Sequence, residues 1–383
     1  MEESKDWMIN DLEINNFKSI KHLDIKPGRV NVFIGKPNAG KSNLLEALAF
    51  VGMDIVFGKA ISKQQIRYTD IASLFYDQNF DSPLSILANN RAFSLEHQDE
   101  DSTTSFILKT FENPIEFKDY ISGNFRIVNS ASLDFDNLDK IGDHIRTGTI
   151  PNKVEISNTL DTPILHRKYN FESDGNLTGG YSERPLNSNI RKYHFKEIPL
   201  DQRIDTGFLK SNGENLWAIV RHNSILKEFS NDFFKEFSLE VLFDKRRNKF
   251  DIMRRNEDSY YLIDFSMTPD TFQRMLYYLA AIESNKNAVI LFEEPESQSY
   301  PPYIQMLAER IVDDTDNQYF LTTHSPFIVE KMLERAGNDD DVKIFVTYFE
   351  DYQTKVHELS RKEIDHIIDN SIDLFFNIDS FKK

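Results

Sequence analysis

The chain has 383 residues, 40% of them hydrophobic and 13% aromatic, with 31 Phe, no Cys and a formal net charge of −17. That length predicts a core domain with an insertion or a second lobe, and the acidic balance excludes a protein that coats nucleic acid through a general positive field. The missing cysteines exclude disulfides and thiolate metal sites, and nowhere do roughly 18 apolar residues follow one another as a membrane span requires.

The opening Met1-Glu2-Glu3-Ser4-Lys5-Asp6-Trp7 is acidic and has no apolar stretch, which predicts a cytoplasmic location. From Leu12 to Ile34, apolar residues alternate with polar ones in three short runs broken at Asn15-Asn16 and Pro27-Gly28, so three strands are expected. The last runs into Gly35, and Leu44, Leu45, Leu48 and Val51 follow at helical spacing. Short strands and polar turns such as Phe171-Glu172-Ser173-Asp174-Gly175-Asn176 then predict an α+β insertion over 86–240. Lys245, Arg246, Arg247, Lys249, Arg254 and Arg255 form a basic cluster with Phe250, Ile252 and Met253 interleaved, which reads first as the solvated face of a β-hairpin. A helix starts near Thr268 and Pro269, a buried strand covers 288–292, and a second helix carries Ile304, Leu307, Ala308, Ile311 and Val312. Strands at Tyr319-Phe320-Leu321 and Val342-Lys343-Ile344-Phe345-Val346 complete an α/β core with a mixed sheet flanked by helices.

Three motifs sit at strand ends. Gly35-Lys36-Pro37-Asn38-Ala39-Gly40-Lys41-Ser42 matches G-x-x-x-x-G-K-[ST], placed between a strand and a helix. Gly35 and Gly40 let the backbone N–H groups of Lys36, Pro37, Asn38 and Ala39's turn, Pro37 excepted, wrap around phosphates; Lys41 reaches the β- and γ-phosphates, and the Ser42 hydroxyl ligates magnesium. This predicts binding of ATP and Mg2+ and an ATPase activity. Glu293, Glu294 and Glu296 follow the apolar strand Ala288-Val289-Ile290-Leu291-Phe292. Phosphoryl transfer needs one carboxylate near the metal and one near the attacking water, so Glu293 is assigned to the metal and Glu294 to the water. His324, in Leu321-Thr322-Thr323-His324-Ser325-Pro326, ends the next strand and is a candidate hydrogen-bond partner of the γ-phosphate. Alone, the acidic run is a solvated turn and the histidine is structural; the phosphate loop in the same chain makes them candidates.

With these motifs in this order the chain resembles the ABC-type ATPases of the SMC, RecF and OLD group, including ATP-binding proteins of phage-defence operons. Leu12-Glu13-Ile14-Asn15-Asn16-Phe17-Lys18-Ser19-Ile20 looks like the group's N-terminal opening, Gly35 to Ser42 its Walker A loop, Ile290 to Glu294 its Walker B strand, Thr322 to Pro326 its switch-histidine motif, and Gly213-Glu214-Asn215-Leu216 the element before the second lobe. The resemblance implies an ABC-type P-loop core in three parts: an N-terminal lobe (1–85), an inserted arm or lid (86–240) and a C-terminal lobe (241–383). It implies a head-to-tail dimer in which ATP on one Walker A loop is capped by the signature helix of the other subunit. Thr268 takes the signature hydroxyl position, with Ser266 as the nearest alternative, and Asp270 beside a γ-phosphate implies slow or activator-dependent hydrolysis. Glu293 stands where Asp is common and Tyr300 where His is frequent; Gln64, Gln65 and Gln78 compete as the γ-phosphate sensor. The short segment after His324 implies that any chemistry on nucleic acid belongs to another protein. The expected function is an ATPase whose dimer closure controls a separately encoded effector, a nuclease or toxin, in anti-phage defence. The alternatives are a RecF-like DNA-repair clamp gripping DNA through the basic cluster, and an ATP-stabilised scaffold with little turnover.

Overall fold

Period-two apolar runs separated by helical ones lead to a layered arrangement of strands and helices. A computed structural model describes residues 7–53, 61–89, 91–100, 103–111, 165–182, 188–199, 203, 205, 207–244, 249–337 and 341–382. The elements in chain order are β1 (Leu12–Phe17), β2 (Ile20–Ile25), β3 (Val30–Ile34), α1 (Lys41–Gly52), β4 (Leu84–Ala88), β5 (Arg91–Glu100), β6 (Thr103–Phe111), β7 (Leu165–Glu172), β8 (Leu177–Ser182) and β9 (Ile190–Tyr193). They continue with α2 (Leu216–His222), α3 (Ser224–Lys235), β10 (Glu240–Asp244), β11 (Lys249–Arg255), β12 (Tyr260–Asp264), α4 (Asp270–Ser284), β13 (Val289–Glu293), α5 (Pro301–Asp313), β14 (Gln318–Thr322), α6 (Pro326–Ala336), β15 (Val342–Glu350), β16 (Gln353–Glu358) and α7 (Arg361–Asp369). Lys245, Arg246 and Arg247 of the basic cluster lie outside the described residues, as does much of 86–240.

The core sheet has six strands in the order β16-β15-β3-β14-β13-β9. β15, β3, β14, β13 and β9 run parallel and β16 pairs antiparallel to β15. Both faces are buried, as continuous apolar strands require. Val30, Val32, Ile34, Ile290, Phe292, Tyr319, Leu321, Ile344 and Val346 face one core, which they share with α2 to α7. The alternate residues Phe33, Val289, Leu291, Phe320 and Phe345 face the other, beneath α1. On that face Phe33 stacks on Phe345 at 4.9 Å between ring centroids, which aligns β3 with β15.

A seven-stranded antiparallel sheet, β2-β1-β4-β5-β6-β7-β8, closes the second core. Helix α1 therefore lies between two sheets and buries Leu44, Leu45, Ala47, Leu48, Ala49, Phe50 and Val51, almost its whole circumference. β9, from within 86–240, is the edge strand of the core sheet beside β13, so that range is not wholly separate from the core. Its Ile190-Arg191-Lys192-Tyr193 is too short and too charged to announce a core strand. Lys249, Arg254 and Arg255 of the basic cluster lie on β11, the central strand of a three-stranded sheet, β10-β11-β12. Buried Asn215 organises the loop before α2, accepting the Lys210 N–H and donating to the Asp205 and Phe208 carbonyls. Among the described residues no helix is long and apolar enough to cross a membrane.

Candidate nucleotide site

Parallel pairing puts the carboxyl ends of β3, β14, β13 and β9 side by side, the edge at which open α/β sheets bind ligands. The phosphate loop leaves β3 and ends at Gly40, the residue before α1, whose φ of 97° is in the left-handed region. A Cβ at Gly40 would overlap the Thr354 side chain, and one at Gly35 the Thr347 carbonyl, so the β15–β16 hairpin pins the loop at both glycines. No side chain caps α1, which leaves its first N–H groups for an anion. Lys36, Pro37 and Asn38 are exposed, Lys36 pairing at the surface with Asp379 at 2.6 Å, and Ala39 is buried. Lys41 is buried, donating to the carbonyls of Gly35 at 2.8 Å and Lys36 at 3.1 Å. Burial pushes its pKa down to about 8, with the Glu294 carboxylate opposing.

Glu293 ends β13 beside this loop. Burial would raise its pKa, but the Lys192 ammonium at 2.9 Å, the Ser42 hydroxyl hydrogen-bonded to it and the Arg67 guanidinium at 3.6 Å together hold it below the usual carboxylate range. Ser42 and Glu293, the two residues assigned to magnesium, are thus in direct contact. Glu294 adopts a φ of 45°, fixed by its N–H donating to the Thr322 carbonyl at 3.0 Å, and its Oε2 accepts the Ser297 hydroxyl at 3.3 Å. His324 Nε2 lies 3.6 Å from Glu294 Oε1. Burial and the Lys41 charge lower the histidine pKa against the opposing Glu294, so the ring is neutral at physiological pH. Lys41, Ser42, Glu293, Glu294 and His324 form one cluster drawn from three strands.

Thr268 stands outside it. Its hydroxyl donates inward to the Phe265 carbonyl at 2.6 Å and the residue is 8% exposed, so its one proton is already used within its own turn. Ser266, the alternative, donates to Asp264. Asp270 pairs with Arg274 at 2.5 Å, which draws its charge along α4. Thr271 and Arg274 donate to Gln298, tying the start of α4 to the turn after Glu294. Gln64 and Gln65 line a cavity with Lys192 and His194, whereas Gln78 sits in a turn bonded to Phe75.

Four residues with no assigned role support the cluster from behind. Glu46, fully buried on α1, pairs with Lys18 and with Arg67 at 2.6 Å. Arg67 and Lys192 then both reach Glu293, so the charges run from the turn after β1 to the end of β13. A glutamate set among Leu44, Leu45, Ala47 and Leu48 is a sequence signal for a buried charge needing a cation. Nothing in the sequence around Lys192 marks it.

Residues 30–330 match the model of the family described as “AAA domain, putative AbiEii toxin, Type IV TA system”. A Helicobacter pylori (strain ATCC 700392 / 26695) protein named “ATP/GTP phosphatase” is 21% identical over 384 residues, 96% of this chain and all of that protein. Among solved structures, an Smc head bound to the C-terminal winged-helix domain of ScpA aligns with a TM-score of 0.46 at 14% identity, over 93% of this chain and 99% of that one. A Pyrococcus furiosus Smc head with an extended coiled coil aligns with a TM-score of 0.43 at 14% identity, over 95% and 99% respectively. The family match spans the phosphate loop, both carboxylates and His324, and the chain belongs to that family of AAA domains, as an ATPase that binds nucleotide.

Proposed function

We propose that the cluster is the hydrolytic half of an ATP site. The loop from Gly35 through Ala39 and Gly40 holds the phosphates with Lys41, Ser42 and Glu293 hold Mg2+, Glu294 orients and deprotonates the attacking water, and His324 hydrogen-bonds the γ-phosphate. This reading rests on the 3.6 Å approach of Glu294 to His324 beside Lys41. A hydroxyl touching an ionised carboxylate is a hard-oxygen pair suited to Mg2+, whose other ligands would be water and phosphate oxygens. The bound ion would neutralise charge on the transferring phosphoryl group. Lys41 adds positive charge there, and the neutral His324 can donate an N–H while Glu294 accepts a proton from water.

Exposed Pro37 and Asn38 leave one side of the loop open, which supports a head-to-tail dimer whose second copy caps the phosphates. With the Thr268 hydroxyl turned inward, the cap is assigned to the N–H groups at the start of α4. Closure would be transmitted through the lobes 1–85 and 241–383 to the arm within 86–240 and to an effector protein. The family's description names a toxin–antitoxin system, which supports a two-component setting, and the resemblance to ATP-binding proteins of phage-defence operons supports an anti-phage one. A DNA clamp is the second reading, favoured by exposed Arg254 and Arg255 lying opposite exposed Tyr261 and Tyr260 on β11 and β12.

Phosphate release and particle size, measured with MgATP for wild type and Glu294→Gln, test the reading. The variant should lose about 100-fold or more in turnover while keeping ATP and accumulating as a dimer. Equal turnover in both proteins sinks the Glu294 assignment, and a monomer under all conditions sinks the dimer. Salt-sensitive, ATP-dependent DNA binding lost in Arg254→Glu would move the function to the clamp.

A further inference from the structure

Glu296 is a third carboxylate after β13, and neither metal binding nor water activation uses it. It is 7% exposed. Its Oε1 accepts the Thr323 hydroxyl at 2.5 Å and the His324 N–H at 3.2 Å. Its Oε2 has no hydrogen-bond partner among the described residues. A buried carboxylate with one oxygen unsatisfied is costly, and an apolar residue or an amide would remove that cost. Burial raises its pKa against the bonds from the Thr323 hydroxyl, its own N–H and the His324 N–H, with the Glu294 charge adding least.

What the carboxyl joins explains why it is there. Thr323 donates its own N–H to the Phe33 carbonyl at 3.2 Å, two residues before the phosphate loop, and its hydroxyl accepts the Ser325 N–H at 2.9 Å. Glu296 itself holds the Ser299 N–H on its carbonyl at 3.1 Å, closing the turn that starts at Glu294. One side chain therefore fastens the turn after β13 to the turn after β14, and through Thr323 to the end of β3. The last main-chain bond between the two strands runs from the Glu294 N–H to the Thr322 carbonyl, and the Glu296 side chain carries the connection past that end of the β13–β14 pairing.

We propose that Glu296 is a positioning residue for hydrolysis: its buried carboxyl locks the turn carrying Glu294 to the turn carrying His324, so that the group facing the water and the group facing the γ-phosphate keep one spacing. The proposal rests on the roles given above to Glu294 and His324. Both contacts converge on Oε1, so the hydrogen-bond acceptor is needed and the negative charge is not.

The test compares Glu296→Ala, Glu296→Gln, Thr323→Val, Thr323→Ser and the Glu296→Ala/Thr323→Val double variant, by steady-state phosphate release and by MgATP titration, with Glu294→Gln as control. Misplacement of the pair should lower kcat about 10- to 100-fold in Glu296→Ala and Thr323→Val, with ATP affinity within about twofold of wild type. Glu296→Gln, whose carbonyl can stand at Oε1, and Thr323→Ser, which keeps the hydroxyl, should stay within about threefold. The double variant should be no slower than the slower single one, as members of one contact are not additive. Should Glu296→Ala fail to fold, the contrast between Thr323→Val and Thr323→Ser decides. Wild-type kcat in Glu296→Ala or Thr323→Val, an equal loss in Gln and Ala at 296, or multiplying losses in the double variant each overturn the proposal. Those results with an inactive Glu294→Gln remove Glu296 alone, whereas a fully active Glu294→Gln removes the underlying assignment and this proposal with it.

Discussion

Glu294 Oε1 and His324 Nε2 meet at 3.6 Å because β13 and β14 are paired in register up to Glu293 against Thr322, the residue before Glu294 and the second before His324. To make that turn Glu294 takes a φ of 45°, a region that L-residues with a Cβ rarely adopt. Such strain persists where the surroundings over-determine it, and it gathers at functional sites.

Glu294→Gly relieves the strain and deletes the carboxylate. It should raise thermal stability, by about 1 kcal/mol, while turnover is lost. Calorimetry beside a phosphate-release assay reads both; a glycine variant less stable than Glu294→Ala would show that the left-handed backbone costs nothing here.

Lys41 sets a pH limit on nucleotide capture. Its pKa falls from 10.5 in the unfolded chain to about 8 in the folded one. Between those values the unfolded state holds more protons, so this group's unfavourable contribution to stability is full below about pH 8 and is relieved as pH rises toward 10.5. ATP affinity should move the other way, falling as pH rises through about 8 because the phosphates lose their cation. Titration calorimetry in buffers of different ionisation enthalpy should register proton uptake on binding near that pH, and Lys41→Ala should bind no ATP. Undiminished affinity in that variant would overturn the loop assignment.

Lys192→Met leaves Glu293 buried without its nearest cation. Loss of one partner of a buried pair should destabilise the fold by about 3 kcal/mol at neutral pH. In the wild type the depressed Glu293 pKa contributes stability above the ordinary carboxylate range, which is lost as pH falls through the folded value. With Lys192 gone that contribution reverses sign, so the stability gap between the two proteins should narrow on acidification. Denaturant titrations at neutral and mildly acidic pH measure the gap, and a constant gap excludes Lys192 as the counter-charge.

Gly40→Ala meets two obstacles, a φ of 97° and the Thr354 side chain. The backbone term alone is about 1–2 kcal/mol. Adding Thr354→Gly should recover stability lost to overlap but not that lost to φ, so a partial rescue in the melting temperature is expected. Full rescue, or none, shows that only one obstacle operates.

Several features were legible before any coordinates. The three N-terminal strands appear where the period-two pattern put them, and β13, α5, β14 and β15 coincide with their apolar runs to within a few residues. The helical spacing of Leu44, Leu45, Leu48 and Val51 predicts one apolar face for α1, yet the helix is buried nearly all round, because the seven-stranded sheet that covers its second face is assembled from strands scattered between Leu12 and Ser182. β9 was hidden in the range read as an insertion, since a four-residue edge strand with Arg191 and Lys192 carries no periodicity. The resemblance alone gives Thr268 the signature hydroxyl position, and likeness of sequence does not reveal that the hydroxyl turns to the Phe265 carbonyl.

The phosphate loop, the two carboxylates at one strand end and the histidine at the next can be read from the residues alone, because strand-end chemistry is written in residues adjacent along the chain. Which charges complete the site is visible only in the folded chain. Lys18, Glu46, Arg67, Lys192 and Glu296 come from different elements, and they matter through burial and contact, which depend on how strands distant in sequence are paired.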